Sequence, residues 1–465
     1  VHTAEPQPPT ISMLPGPGEW LAALRSAPSD AAKRAFREQL GLSPDRAIIM
    51  SGHQAGVWHA GILAKWLVLR AAAARTGAQA AWLVVDTDTN DPSTVRFPVR
   101  DGSGALRVKT WASLPGLSVQ GGRLTGHVVT GRVAGRAPAA LPAEAADGAT
   151  PGVVAGLDAI RDALAGHAGA RSVAEQTALA CRDLVARCFG DDGGVAIVHA
   201  SALSRTSAFR GVLEKFAVNP ARAVRTYLDA VGGSGVASAS DESSPIWSLE
   251  GPARAPADPA RIDPAHAEQY APRALLLTGM MRWLGCEVFI HGTGGAGVDG
   301  RSGYDAVTAA WLGSWLSAAM APVAMATATL RLNLPTSGPV PTPEAIGRAQ
   351  WLAHAARHRP ALLDDAGRQA QRDAALATLA GLRRKPGPDA RRARLNAYRA
   401  MHQALRESRD AHRIRLDALD RQARDAALRR VEAEIVADRT WAFPLHGQAR
   451  LNALGRQIDA EISAG

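Results

Sequence analysis

The chain has 465 residues, with 53 basic against 43 acidic side chains and a formal net charge of +10. That length exceeds what one compact domain usually holds, so two or three domains, or one core with a long appendage, are expected. A hydrophobic fraction of 46% beside 21% charged residues is ordinary for a globular protein, and no charge-free apolar run reaches the length of a membrane span.

The positive charge is 48 arginines and 5 lysines dispersed through an alanine-rich chain, without a finger, RRM or basic-zipper pattern, so nucleic-acid binding is not expected. Cys181, Cys188 and Cys286 form no CxxC pair and suit a reducing compartment as small buried side chains. The opening VHTAEPQPPTISMLPGPGE shows no basic region followed by an apolar stretch, so no secretory signal is read and the expected location is cytoplasmic.

The first informative segment is AIIMSGHQAGVWHAGILAK, residues 47–65. Ala47–Met50 reads as a buried strand, and Ile62, Leu63, Trp66, Leu67 and Leu69 recur at helical spacing. Gly52, Gly56 and Gly61 let the intervening turn approach a ligand, and the first amides of the helix would face a phosphate or carboxylate. His53 and His59 are candidate catalytic donors to a phosphate or a developing oxyanion, and Gln54 a candidate substrate-orienting amide. The plainer alternatives are a helix-packing role for His59 and a surface amide for Gln54.

A second strand, Ala80–Val85, runs into Asp86, Thr87, Asp88, Thr89, Asn90 and Asp91. If the chain stays extended, Asp86 and Asp88 point to one side with Asn90 continuing the row. Two carboxylates there suit catalysis, an ammonium group or Mg²⁺ with phosphate oxygens, and Asn90 a substrate contact; an ordinary polar loop is the competing reading. Residues 1–99 are therefore taken as the first part of a core and 100–158, rich in glycine and proline, as an insertion. Short β-like pieces are expected there at Leu106–Lys109 and Val128–Val129.

Residues 159–342 complete the core, with strands at Val195–His199 and Val288–His291 and a soft, irregular stretch at 229–264 containing a short strand at Ile246–Leu249. The strand ending in His291 leads into Gly292, Gly294 and Gly295, a loop expected to close over a ligand. His291, Asp299, Arg301 and Tyr304 are candidate substrate contacts, while Gly52, Gly56, Gly61, Gly292, Gly294 and Gly295 are candidate cofactor-binding positions. The loop is neither a P-loop nor a complete GxGxxG fingerprint. Its HGTGG wording is shared with hydrolase oxyanion loops, but no GxSxG elbow accompanies it.

From residue 343 to 440 long alanine, leucine and arginine segments predict a helical arm. Helices over 344–382 and 389–438 would be separated by Pro386, Gly387 and Pro388 and would form an antiparallel hairpin. Leu395, Leu405, Ile414, Leu419, Leu428 and Val431 give an interrupted apolar stripe, supplemented by alanines, which suits close helix packing more than a strict leucine zipper, in a structural arm or in a homodimer contact. Trp441, Phe443, Pro444 and Leu445 are expected to return 441–465 to the main body. The fold class is thus α/β, a doubly wound parallel sheet with insertions and a C-terminal antiparallel helical arm.

SGHQAGVWHAGILAK resembles the early glycine and glutamine motif of the bacillithiol biosynthesis cysteine-adding enzymes, and AWLVVDTDTNDP resembles their second strand with its acidic end. YAPRALLLTGMMRWLGCEVFIHGTGG and RTWAFPLHGQARL are similar to the approach to their glycine-rich loop and to their closing segment, so the matches follow the order of the whole chain. The resemblance implies a Rossmann-like core related to class I nucleotidyltransferase folds, a coiled-coil domain, and addition of cysteine to the glucosamine of a malate glycoside. Here Gly52, His53 and Gln54 stand where that family has a glycine and two glutamines, and Gly292–Ala296 lacks its loop glutamate. His59, Ala60 and Gly61 are similar to the start of the HxGH signature of nucleotidyltransferases, with Ile62 in place of the second histidine.

The expected activity is therefore a cysteine ligase acting on an aminosugar glycoside such as glucosaminyl malate. Its small-molecule partners would be that aminosugar and cysteine, with ATP or another adenine nucleotide and Mg²⁺ as cofactors of an activation step. A nucleotidyltransferase or ligase for another small molecule, and a nucleotide-binding regulatory or coiled-coil scaffold protein, are the alternatives. No membrane partner is expected.

Overall fold

The computed structural model describes residues 8–26, 30–232, 244–251, 253–296, 303–336 and 338–465. Its centre is a mixed six-stranded sheet flanked by helices, followed by a helix-rich region. The strands are β1 (Thr10–Leu14), β2 (Ile48–Gln54), β3 (Gln79–Val85), β4 (Ala196–His199), β5 (Val288–His291) and β6 (Val323–Thr329). They lie in the order β1-β6-β5-β2-β3-β4. All pairings are parallel except β1 with β6, which is antiparallel from Thr10↔Thr329 to Leu14↔Met325. The expectation of a wholly parallel sheet is corrected at this edge. β1 follows a proline-rich opening and β6, VAMATAT, is interrupted by alanine at every second position, so neither announces itself as a strand in isolation.

Ile48, Ile49 and Met50 are fully buried, as expected of a strand covered on both faces by helices. Helix α1 (Ala60–Thr76) follows β2 and packs between the sheet and the closing helix α7 (Gln448–Ala464). Its apolar residues are buried all round, ending at Gly77 in the left-handed conformation. Trp58, Trp66 and Trp82 meet beside it, with ring centroids 4.6–5.3 Å apart. The other face carries a larger core that includes Phe36, Phe209, Phe216, Leu276, Met280 and Trp311 of α2 (Tyr304–Leu316).

Residues 94–100 and 106–112 form a hairpin, extending the short piece expected at Leu106–Lys109. Val128 makes only an isolated bridge with Ala253, so the β-piece expected at 128–129 is not a strand. Helix Pro151–Gly166 runs through the point where the insertion was expected to end. Ile246–Ser248 is the central strand of a small sheet with 255–256 and Tyr270–Pro272.

Chain contacts divide the protein into two units. Of the described residues, the larger comprises those within 8–100, 108–332 and 438–465, and the smaller those within 101–107 and 333–437. In the smaller unit each expected long helix is broken in two, giving α3 (Pro343–Ala355), α4 (Ala366–Leu382), α5 (Pro388–Ala411) and α6 (Arg413–Ala437). Pro360 opens a 3-10 turn in the first limb, and His412 interrupts the second. α4 packs on α5 across Gly387, and α3 packs on α6. The stripe read from the sequence is split: Leu395, Ile414 and Val431 are exposed, Leu419 and Leu428 half-buried and Leu405 buried, while Ala375, Ala397, Ala404, Ala423 and Ala426 fill the seams. Small side chains allow the closer approach. In the larger unit Trp441, Phe443 and Leu445 are buried, and the Phe443 amide donates to the Trp58 carbonyl at 2.8 Å. Among the described residues no helix is long and apolar enough to cross a membrane.

Candidate functional site

Strand order reverses between β2 and β5: the chain builds outward from β2 through β3 to β4, then returns to place β5 on the other side of β2. A cavity of about 480 Å³ opens at the carboxyl ends of these two strands. Its lining includes Gly52, His53, Gln54, His59, Gly61, Asp88, His291, Gly292, Gly294, Gly295 and Tyr304, which gathers most of the candidate residues read from the sequence. Asp299 and Arg301 lie outside the described residues.

His59 is the N-cap of α1. Its Nδ1 accepts the Gly61 amide at 3.1 Å, and its carbonyl accepts the amides of Ile62 and Leu63. The expectation of free helix amides facing a phosphate is therefore corrected, because the first turn is satisfied by His59 itself. Accepting at Nδ1 puts the proton of a neutral imidazole on Nε2, which leaves that nitrogen as a donor. A Cβ at Gly61 would lie 2.9 Å from the His59 ring and 3.0 Å from the Thr327 hydroxyl, so glycine is what allows the ring, α1 and β6 to close together. Burial, then Lys65 and Arg439, holds the His59 pKa down to about 4.

His53, half-buried, has Nδ1 3.2 Å from the Gln54 carbonyl. A carbonyl only accepts, so Nδ1 carries the proton and Nε2 is an acceptor, which reverses the donor role expected of His53. Burial and neighbouring Lys65 hold its pKa down to about 3. At neutral pH the turn thus presents one donating and one accepting imidazole, both uncharged.

On the facing strand, His291 Nδ1 is hydrogen-bonded to a carboxylate oxygen of Asp305 at the start of α2. Arg282 Nη1 reaches the other Asp305 oxygen at 3.3 Å and its backbone carbonyl at 2.9 Å, while Arg282 Nε donates to the Ala321 carbonyl at 3.1 Å. Arg282 sits in a single π-helical turn, Met281–Gly285, a form of helix often found beside functional sites. The Phe289 ring meets His291 edge-on at 4.6 Å. A Cβ at Gly295 would stand 2.3 Å from His291 Nδ1, so the glycine loop lies directly on the imidazole. The arrangement is an oriented imidazole whose Nε2 can take or return a proton.

The acidic row does not form. β3 ends at Val85 and the chain turns at once, so Asp86 and Asp88 diverge. Asp88 lines the main cavity, but it accepts from Gln54 Nε2 at 2.7 Å and the Thr89 amide at 2.7 Å, and pairs with Arg254 at 2.9 Å. Arg254 in turn stacks on Trp247. Asp86 is buried in a separate cavity of about 390 Å³ with His199, Glu175, Arg171 and Arg205, and accepts the Ser201 amide at 2.8 Å and its hydroxyl at 2.5 Å. Asn90 is in neither cavity; its Nδ2 donates to the Ala55 carbonyl at 2.5 Å and ties two loops together. Gly56 lies beside the main cavity rather than in its wall, and its carbonyl accepts the Cys181 thiol at 3.5 Å.

Sequence reasoning gave no site role to Lys65, Asp305, Arg282, Thr327 or Arg439. Lys65 is 4% exposed, lines the cavity and donates to the Gly52 carbonyl at 2.6 Å. Burial pushes its pKa down to about 7. The signal was present: a lysine inside the otherwise apolar run Ile62–Leu69. Among the described residues no group of three histidine, cysteine or acidic side chains is placed to hold a metal ion. No family model and no curated protein matches the chain.

Proposed function

We propose that the chain is a carbon–nitrogen bond-forming enzyme with a Rossmann-like, doubly wound core, joining cysteine to the amine of an aminosugar glycoside such as glucosaminyl malate. The observation that carries this reading is the His291–Asp305 pair facing one cavity with His53 and His59 at the point where strand order reverses. Ligands of doubly wound sheets collect at that crevice. As the amine attacks the activated carboxyl carbon and forms the C–N bond, His291 Nε2 takes its proton while Asp305 steadies the imidazolium, and His59 Nε2 donates to the oxygen on which charge develops. The activating group then leaves the same carbon with the electrons of its bond and the proton that His291 returns. His53 Nε2 accepts from a hydroxyl or ammonium of the substrate. The ordered likeness of four segments to the cysteine-adding enzymes supports the substrate pair.

The carboxyl partner requires activation, and the residues do not fit the expected phosphate and metal contacts. The α1 amides are bonded to His59, and Asp88 is paired with Arg254. No step is assigned to ATP or Mg²⁺.

The test incubates purified protein with glucosaminyl malate, cysteine, ATP and Mg²⁺, omitting each in turn, beside a panel of other amines and amino acids, with products read by mass spectrometry. The expected product carries one added cysteine and disappears with His291→Gln. Folded protein that yields no such product rejects the substrate pair; a product with another panel member keeps the chemistry and changes the pair.

A further inference from the structure

Lys65 is not needed for the acid–base scheme above, yet it is the most unusual charge-bearing group in the cavity wall. Of the five lysines, Lys33, Lys109, Lys215 and Lys385 are partly or fully exposed, while Lys65 is 4% exposed. No carboxylate pairs with it among the described residues; its one polar partner is the neutral Gly52 carbonyl. Its nitrogen stands 5.2 Å from the Trp82 ring centroid, in the cluster formed with Trp58 and Trp66. An ammonium buried without an anion is costly, and a lysine so placed gives up its proton and becomes a nucleophile.

We propose that Lys65 condenses with a small oxo acid admitted to the cavity, forming an imine at Nζ. Two groups fit the carboxylate of such a ligand: the exposed Arg439 guanidinium and the donating Nε2 of His59, both in the same wall. The Nζ lone pair attacks the carbonyl carbon to form the C–N bond, and His291 carries the two nitrogen protons, one after the other, to the former carbonyl oxygen. That oxygen then leaves as water, and the C=N bond forms. No electrons are exchanged and no co-reactant is consumed.

Near neutral pH about half of Lys65 is unprotonated, against roughly one in 2,500 of an ordinary exposed lysine. The four other lysines therefore serve as internal standards. The full-length protein is treated with glyoxylate and cyanoborohydride over a pH series, and the reduced adducts are located by peptide mass spectrometry; propanal replaces glyoxylate in a parallel arm. The expected result is labelling of Lys65 at neutral pH on the order of a hundredfold faster than any other lysine, after discounting the weaker nucleophilicity of a less basic amine, with a midpoint near pH 7. Glyoxylate should exceed propanal by roughly tenfold, and Lys65→Met should remove the neutral-pH adduct while leaving the other lysines unchanged. Equal labelling of all five lysines, labelling of Lys65 only in alkali, absence of an adduct in the folded wild type, or propanal matching glyoxylate would each overturn the proposal. The readout needs no ligase turnover, so its failure is separate from that of the cysteine-adding reading.

Discussion

Two carboxylate–imidazole pairs sit at the same edge of the sheet and have different fates. At the end of β5, His291 is hydrogen-bonded to Asp305, whose other oxygen is held by buried Arg282. At the end of β4, His199 stands 3.7 Å from Asp86, whose oxygens are occupied by Ser201. Both pairs arise from the same local rule, a buried strand delivering a polar residue where it ends. In the first, nothing among the described residues is bonded to the second imidazole nitrogen, and the ring lines the cavity where strand order reverses. The second has its carboxylate spent on anchoring a turn. A strand-end histidine becomes chemically useful when its partner carboxylate is fixed from behind rather than consumed from the side.

Replacing the two carboxylates is the strongest test of that contrast. Asp305→Asn should lower kcat/KM for cysteine addition by about a thousandfold, because the imidazole loses the partner that fixes its tautomer. It should also lower stability by about 3 kcal/mol in urea unfolding, since buried Arg282 loses its counter-charge. Asp86→Asn should change kcat/KM less than about threefold and cost only about 1–2 kcal/mol from weakened Ser201 contacts. Equal kinetic losses from the two substitutions would break the comparison.

Lys65 sharpens it through pH. The unfolded chain protonates this lysine up to its ordinary value of 10.5, whereas the folded chain does so only up to about 7. Between those values the unfolded state binds the extra proton, so stability rises as pH increases through that window. Lys65→Met should abolish this slope and raise stability at neutral pH by about 1–3 kcal/mol, read from unfolding midpoints across the pH range. An unchanged slope would mean that Lys65 is not the group responsible.

Gly295→Ala tests how closely the loop bears on His291. The added methyl displaces the ring and loosens its bond to Asp305, so kcat/KM should fall by roughly tenfold to thirtyfold with about 1–3 kcal/mol lost in stability. The smallest effect separates the two duties of His59. His59→Ala should lose about 1 kcal/mol of capping energy, and His59→Asn should restore it, while kcat/KM stays reduced in both. Full activity in His59→Asn would leave His59 as a cap alone.

The glycine and histidine turn was legible because a buried strand, a break and a helix were written side by side in residues 47–69. The strand ends at 85, 199 and 291 were legible for the same reason. Pairing across the chain was not. The antiparallel contact of β1 with β6 joins residues more than three hundred positions apart, and nothing in TISML specifies its partner. Asp305 stands as a lone acid until α2 brings it to His291, and Arg282 sits among apolar neighbours that read as core. Asp86 and Asp88 were misread because alternation holds only while the strand continues, and hydrogen bonds from the Asp86 and Asp88 amides turn the chain immediately after Val85. In the smaller unit, helical periodicity found the helices but only part of their facing sides, because alanine seams carry little contrast.

The indoles of Trp58, Trp66 and Trp82 lie close enough for their excited states to couple, and the Lys65 nitrogen rests over one of them. Light absorbed by any of the three is shared, so a perturbation at Trp82 is felt in the emission of the set. Loss of the Lys65 proton near pH 7 removes a cation from that ring face and should shift the fluorescence spectrum with the same midpoint, while Lys65→Met should leave it flat. The tryptophan cluster behind Lys65 thus serves as a built-in optical indicator, one that reports the protonation of a single amine without any added dye.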